Sequence, residues 1–196
     1  MHPTHDTSGG EGRRSDSPTL SRGDVTLRAA QWSDVEPRLA LGYVPEILHM
    51  FGADPAKTQP MTRALAEDWV RDHIDTPLSW VIDHRNRLIG GLRLHTLNPH
   101  NRRADIAVGL LDPACLGRGI GTEALRLLID HAFGDMALHR LGLRVIAYNT
   151  RAIRAYRKLG FVEEGRLRDS ACVAGVYHDD LVMSLLAREH GRGGAA

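Results

Sequence analysis

Two cysteines in 196 residues, Cys115 and Cys172, cannot form a disulfide framework. A reducing, cytoplasmic setting is therefore the default expectation. Charge of one sign is also lacking: 25 Lys and Arg stand against 24 Asp and Glu, a formal net charge of +1. That balance gives no electrostatic reason to expect a nucleic-acid or membrane partner. No apolar run approaches the roughly 20 residues that a membrane-spanning helix needs. The first residues, "MHPTHDTSGGEGRRSDSPTLSRGD", contain no apolar segment of the signal-peptide kind. None of the eleven histidines belongs to an HExxH or paired Cys/His pattern, so no metal is expected. His95 and His100 flank a loop, and His131 and His139 flank a helix end.

What remains is a chain of ordinary globular composition, 42% hydrophobic and 25% charged, long enough for one domain with a real core. Residues 1–22 carry almost nothing apolar. They are expected to be a flexible, dispensable tail, and residues 189–196 a second one. The domain then spans residues 23–188. "DVTLRAA" alternates and predicts a first strand. Between Trp32 and Asp75 the apolar spacing is helical, cut by Pro45, Pro55 and Pro60 into short helices, with Thr62 as an N-cap. "LSWVIDHRNRLIGGLRLHTL" reads as a hairpin turning at "HRNR". "RRADIAVGLL" is a strand with Ile106, Val108 and Leu110 on one face and Asp105, Ala107 and Gly109 on the other. Helix "TEALRLLIDHAF" places Leu125, Leu128, Ile129 and Ala132 on one stripe. Strand "HRLGLRVIAY", helix "NTRAIRAYRKLGF" with Gly160 as a left-handed cap, and two final strands complete the chain. The order predicts a mixed α/β layer with crossovers near the middle of the sheet.

The stretch "CLGRGIGTEAL" stands between a strand and a helix. Gly117, Gly119 and Gly121 alternate with Arg118 and Ile120, and Thr122 follows. The first amides of a helix have no internal partner and carry the positive end of its dipole. Glycines let an anion reach those amides without meeting a β-carbon. The stretch therefore suits a pyrophosphate. It lacks the Gly-Lys-Ser/Thr ending of a P-loop, and its GxGxG spacing after a late strand does not fit the dinucleotide fingerprint.

"GRGIGTEAL", followed some thirty residues later by "NTRAIRAYRKLGF", resembles the GNAT N-acetyltransferase superfamily, in particular its ribosomal-protein N-terminal and spermidine acetyltransferase branch. The resemblance covers about residues 24–187. It implies a predominantly antiparallel sheet flanked by helices, with a splayed central strand pair. It also implies acetyl-CoA as co-substrate, its pyrophosphate on the loop from Leu116 to Gly121. The family's usual Gln or Arg at the opening position is replaced here by Leu116, and Arg118 is the nearest substitute charge. By the same resemblance, the strand containing Val108 and Leu110 pairs with the pantetheine arm. Asn149 then hydrogen-bonds the cofactor, and Tyr156 lies beside the thioester sulfur.

Acetyl transfer to an amine requires a neutral amine, a donor for the tetrahedral oxyanion and a proton for the departing thiolate. Tyr156 suits the last task, since a phenol stays protonated at neutral pH. Packing by a core aromatic would also explain it. Asp105 is a candidate base acting through a water, or a strand carboxylate paired with Arg102 or Arg103. Glu163, Glu164, Asp179 and Asp180 are alternatives, and nothing in the sequence brings His84 or His95 to the site. Cys115 has no local histidine to activate it as a nucleophile. Arg151, Arg154, Arg157 and Lys158 could meet the cofactor's 3′-phosphate or form a solvated face. The expected activity is direct acetyl transfer to a primary amine: a protein N-terminus, a polyamine or an amine-bearing small molecule. The alternatives are a non-catalytic acyl-CoA sensor and an acyltransferase using a longer donor such as succinyl-CoA. A homodimer is left open.

Overall fold

The computed structural model describes residues 17–191. Eight strands form one sheet in the order β1-β2-β3-β4-β5-β6-β8-β7. They are β1 (Leu20–Arg22), β2 (Val25–Arg28), β3 (Ser79–His84), β4 (Arg87–Asn98), β5 (Arg103–Leu110), β6 (Arg140–Ile146), β7 (Val162–Val173) and β8 (Val176–Leu186). The helices are α1 (Val35–Leu41), α2 (Pro45–Met50), α3 (Arg63–Asp75), α4 (Ile120–Phe133) and α5 (Thr150–Lys158). Every neighbouring pair is antiparallel except β5 and β6, which run parallel. α4 makes the connection that this parallel pair requires.

The local signals act as their chemistry dictates. Thr62 Oγ1 accepts from Leu65 N at 3.3 Å, capping α3. Pro45 opens α2 at a position where its missing N–H costs nothing. Gly160, at φ +93°, follows α5 in the left-handed conformation. Alternation along the strands sends Ala104 and Ile106 of β5 and Leu141, Leu143 and Val145 of β6 into the main core with α4 and α5. Leu125, Leu128, Ile129 and Ala132 meet them from α4. A smaller cluster of Val35, Ala66 and Val70 holds α1 and α3 on the opposite face.

The expected boundary of the N-terminal tail at residue 22 is corrected. Leu20–Arg22 pairs with β2, Ser17 is buried, and Pro18 O accepts the indole N–H of fully buried Trp80 at 2.8 Å. Low hydrophobicity did not prevent ordering, because β2 supplies a partner for the backbone itself. Residues 1–16 of the expected tail lie outside the described residues. At the other end Glu189 accepts from Leu186 N, and His190 reaches Asp130 at 2.9 Å, so the second expected tail is tied down through residue 190. Residues 192–196 lie outside the described residues.

Candidate active site

β5 and β6 pair over three residues only: Arg103 with Arg140, Ala104 with Leu141 and Asp105 with Gly142. Beyond Asp105 the strands separate, although β5 continues to Leu110 and β6 to Ile146. The separation leaves unpaired backbone on both inner edges. A cavity of about 850 Å³ occupies the gap and runs through the sheet from one face to the other.

One mouth of the cavity is built from the glycine loop. Asp112 caps a short turn by accepting from Ala114 N, and the chain then passes through Leu116 into the loop. Gly117 and Gly119 have φ of +72° and +79°, a conformation that side chains rarely adopt. Space above both is open. Gly121 serves packing instead: a Cβ there would stand 3.2 Å from the Leu110 side chain. Gly119 is the N-cap of α4 and offers no side-chain cap, and Glu123 N is the amide that bonds back to Gly119 O. The amides of Ile120, Gly121 and Thr122 are therefore left for an anion. Leu116, Gly117, Gly119, Gly121 and Thr122 line the cavity. The Ile120 side chain is buried, and Arg118 is exposed beside the loop, donating to Ala114 O at 3.4 Å. Arg151, Arg154 and Lys158 of α5 line the same mouth, whereas Arg157 turns away to Glu163.

Tyr156 projects from α5 into the middle of the passage. It packs edge-on to Phe161 at 5.9 Å between ring centroids, and burial pushes its phenol up to about 12. Among the described residues its hydroxyl makes no hydrogen bond, which leaves the proton available to a ligand. Val108 and Leu110 line the gap from β5. Leu111 N donates to Ile89 O of β4, so by strand alternation the Leu110 and Val108 amides turn toward the open edge.

Asn149, expected to hydrogen-bond the cofactor, lines the cavity and also holds the local frame. Its Oδ1 accepts from Ala152 N as the N-cap of α5, and its Nδ2 donates to Met50 O at 3.1 Å. With Tyr148 hydroxyl donating to His49 O at 2.6 Å, it ties α2 to the end of β6. α2 thereby closes one side of the gap. The ring of Phe51, just past it, lies 3.0 Å from where a Cβ of Gly109 would stand, and a Cβ on Gly52 would stand 3.7 Å from the Ile146 side chain. Neither contact is written in the local sequence.

The far mouth is polar. Asp105 lies at the fork, its carboxylate against Gly142. The expected pairing with Arg102 or Arg103 is absent among the described residues. Of the other acids considered, Asp180 alone lines the cavity, bound to Arg144 at 2.7 Å. Glu164 is held bidentately by Arg140, which with Ser184 lowers it to about 2. Asp179 accepts from the Asp169 amide and from Arg166, which in that order lower it from the ordinary range. His84 pairs with Val25 at the distant side of the sheet. His95, which the sequence did not bring to the site, lines the cavity. Cys115 is buried, and burial pushes its thiol up, the wrong direction for a nucleophile. No group of metal-ligating side chains occurs among the described residues, and no described helix is long and apolar enough to cross a membrane.

A mixed sheet split at one parallel pair, with an uncapped helix terminus at the mouth of the split, is an acyltransferase-type architecture. The GNAT acetyltransferase domain model matches residues 24–162, and the chain belongs to that family. It is similar to YdaF of Bacillus subtilis (strain 168), provisionally a ribosomal N-acetyltransferase. The two are 31% identical over 140 residues, covering 71% of this chain and 76% of YdaF. Spermidine N(1)-acetyltransferase of Escherichia coli (strain K12) is 30% identical over 118 residues, 60% of this chain and 63% of that protein. Among solved structures, spermidine N-acetyltransferase from Vibrio cholerae in complex with CoA and spermine superposes with a TM-score of 0.70. It is 26% identical, covering 85% of this chain and 97% of that one. The chain is thus an acyltransferase of the GNAT N-acetyltransferase kind.

Proposed function

We propose that the protein transfers acetyl directly from acetyl-CoA to an acceptor presenting a single primary amine, such as a peptide N-terminus or an amine-bearing small molecule. The observation that carries this reading is the loss of β5–β6 pairing after Asp105 and Gly142, with the glycine loop and Tyr156 along the same gap. The α4 amides and Arg151, Arg154 and Lys158 suit the phosphates of CoA. The free edge of β5 at Val108 and Leu110 suits the pantetheine amides. The amine nitrogen attacks the thioester carbon from the far mouth, the C–S bond breaks, Tyr156 gives its proton to the thiolate, and the proton that the nitrogen sheds as the amide forms restores the phenol.

Charge at the far mouth supports a single ammonium. Among the described residues Asp105 makes no ion pair of its own and feels only the Arg140 guanidinium that Glu164 holds, while Asp180 and Glu164 are each paired directly with an arginine. A polyamine would meet one carboxylate without a direct ion pair there. The test is thiol release with a panel of a short peptide with a free N-terminus, tyramine and spermidine, with the acetylated product identified by mass. The reading expects turnover on the peptide or tyramine with a higher kcat/KM than on spermidine. A preference for spermidine overturns the single-amine assignment.

A further inference from the structure

The rung at the fork of the sheet holds three residues side by side: His95 on β4, Asp105 on β5 and Gly142 on β6. His95 and Asp105 are direct cross-strand partners, so their side chains leave the sheet on one face with their β-carbons about 5 Å apart. Both line the far mouth of the cavity. Immediately after His95 the β4–β5 register slips. Thr96 there has φ +53°, a left-handed conformation unusual for a β-branched residue. Its Oγ1 lies 2.8 Å from His95 Nδ1. With the ring proton on Nδ1 toward that oxygen, Nε2 presents a lone pair on the other side of the ring.

Resting on the acetyltransferase reading above, we propose that His95 is the general base. Asp105 receives the acceptor's ammonium group, and His95 Nε2 takes one of its protons before the nitrogen attacks the thioester. The ammonium N–H bond breaks, its electron pair becomes the nucleophile, and the proton passes from the exposed imidazole to solvent. A carboxylate is a weak base toward an alkylammonium, whereas imidazole exchanges protons close to neutral pH. The charged groups on the same face around His95 are Asp105 and Arg103 of β5, Arg93 on its own strand with Asp72 of α3, Arg140 of β6 with Glu164 of β7, and the Arg144–Asp180 pair of β6 and β8. Arg93 and Arg140 are each engaged directly by another carboxylate, which leaves the Asp105 carboxylate without an ion pair of its own beside the ring. The strained turn at Thr96 aims the ring.

The test uses the full chain, acetyl-CoA and whichever of the three panel amines is turned over fastest. In His95→Gln, kcat should fall by about 10²–10⁴-fold and the acidic limb of the pH profile of kcat/KM should flatten. CoA affinity by calorimetry should be unchanged. Thr96→Gly relieves the left-handed backbone and removes the hydroxyl, so it should keep the melting temperature while lowering kcat several-fold. Wild-type kcat and pH profile in His95→Gln would overturn the proposal, as would a Thr96→Gly enzyme of full rate. Weakened CoA binding in His95→Gln would reassign the residue to the cofactor site and overturn it too. Inactivity of the unmodified protein on all three amines would instead overturn the reading on which the proposal rests.

Discussion

The carboxylate of Asp105 fills the space that a side chain at Gly142 would need: a Cβ added to Gly142 would collide with Asp105 Oδ1. The glycine thus fixes the acid at the fork from the neighbouring strand. Gly142→Ala should push the carboxylate aside. Because a displacement near 1 Å can cost about 10²-fold, kcat/KM for the amine should fall by up to that factor. The CoA dissociation constant should hold, since the phosphate mouth lies elsewhere. Steady-state kinetics beside calorimetry separates the two, and an unchanged kcat/KM would free Asp105 of its role.

Gly119→Val acts on the other mouth. The position has φ +79° with open space above it, so a side chain fits sterically but strains the backbone by about 1–3 kcal/mol and covers the α4 amides. The CoA dissociation constant should rise strongly, and the thermal shift that CoA gives the wild type should vanish. A folded variant with unchanged CoA affinity would remove the loop from the site.

Tyr156→Phe removes one buried oxygen and keeps the ring against Phe161. CoA binding should survive while kcat drops by about 10²–10⁴-fold, more than the Michaelis constant changes. The loss should shrink with a thioester whose thiol is more acidic. A near-normal kcat would make the phenol a packing group.

The pair Glu164–Arg140 gives a pH prediction. Glu164 is lowered from 4.5 to about 2, first by its hydrogen bonds from Arg140. The native state therefore favours the ionised form, and this contribution is complete above about pH 4.5 and lost as pH falls toward 2. Urea midpoints at pH 5 and pH 3 should fall further apart in the wild type than in Glu164→Gln. Equal loss in both would show that the pair adds nothing to stability.

Removing residues 1–20 should lower the melting temperature, because Trp80 Nε1 loses Pro18 O inside the protein. An orphaned buried donor costs about 1–3 kcal/mol. Removing residues 1–16 leaves that bond intact and serves as the comparison.

Much of this was written locally in the chain. The glycine loop and the helix behind it were legible because positive φ and a helix terminus each demand particular residue types. The place of Tyr156 beside the gap was legible through the motif that carries it. Asn149 was legible only in part: it lines the cavity and its capping hydrogen bond to Ala152 is local, but its bond to Met50 joins residues 99 apart. His95, Gly142 and Phe51 were invisible for one shared reason. Each acts through a neighbour on another strand or helix, and a register with a slip after His95 cannot be read from either strand alone. β1 was missed because its stability comes from pairing with β2 rather than from its own apolar content.

The most direct measurement is amine-dependent release of free CoA thiol from acetyl-CoA by the unmodified protein, followed alongside the acetylated product. The account predicts thiol and N-acetyl product appearing in equal amounts, and no release above background without amine. Tight CoA binding with no thiol release on any primary amine would contradict it, and would leave the split sheet as a cofactor-sensing site without chemistry.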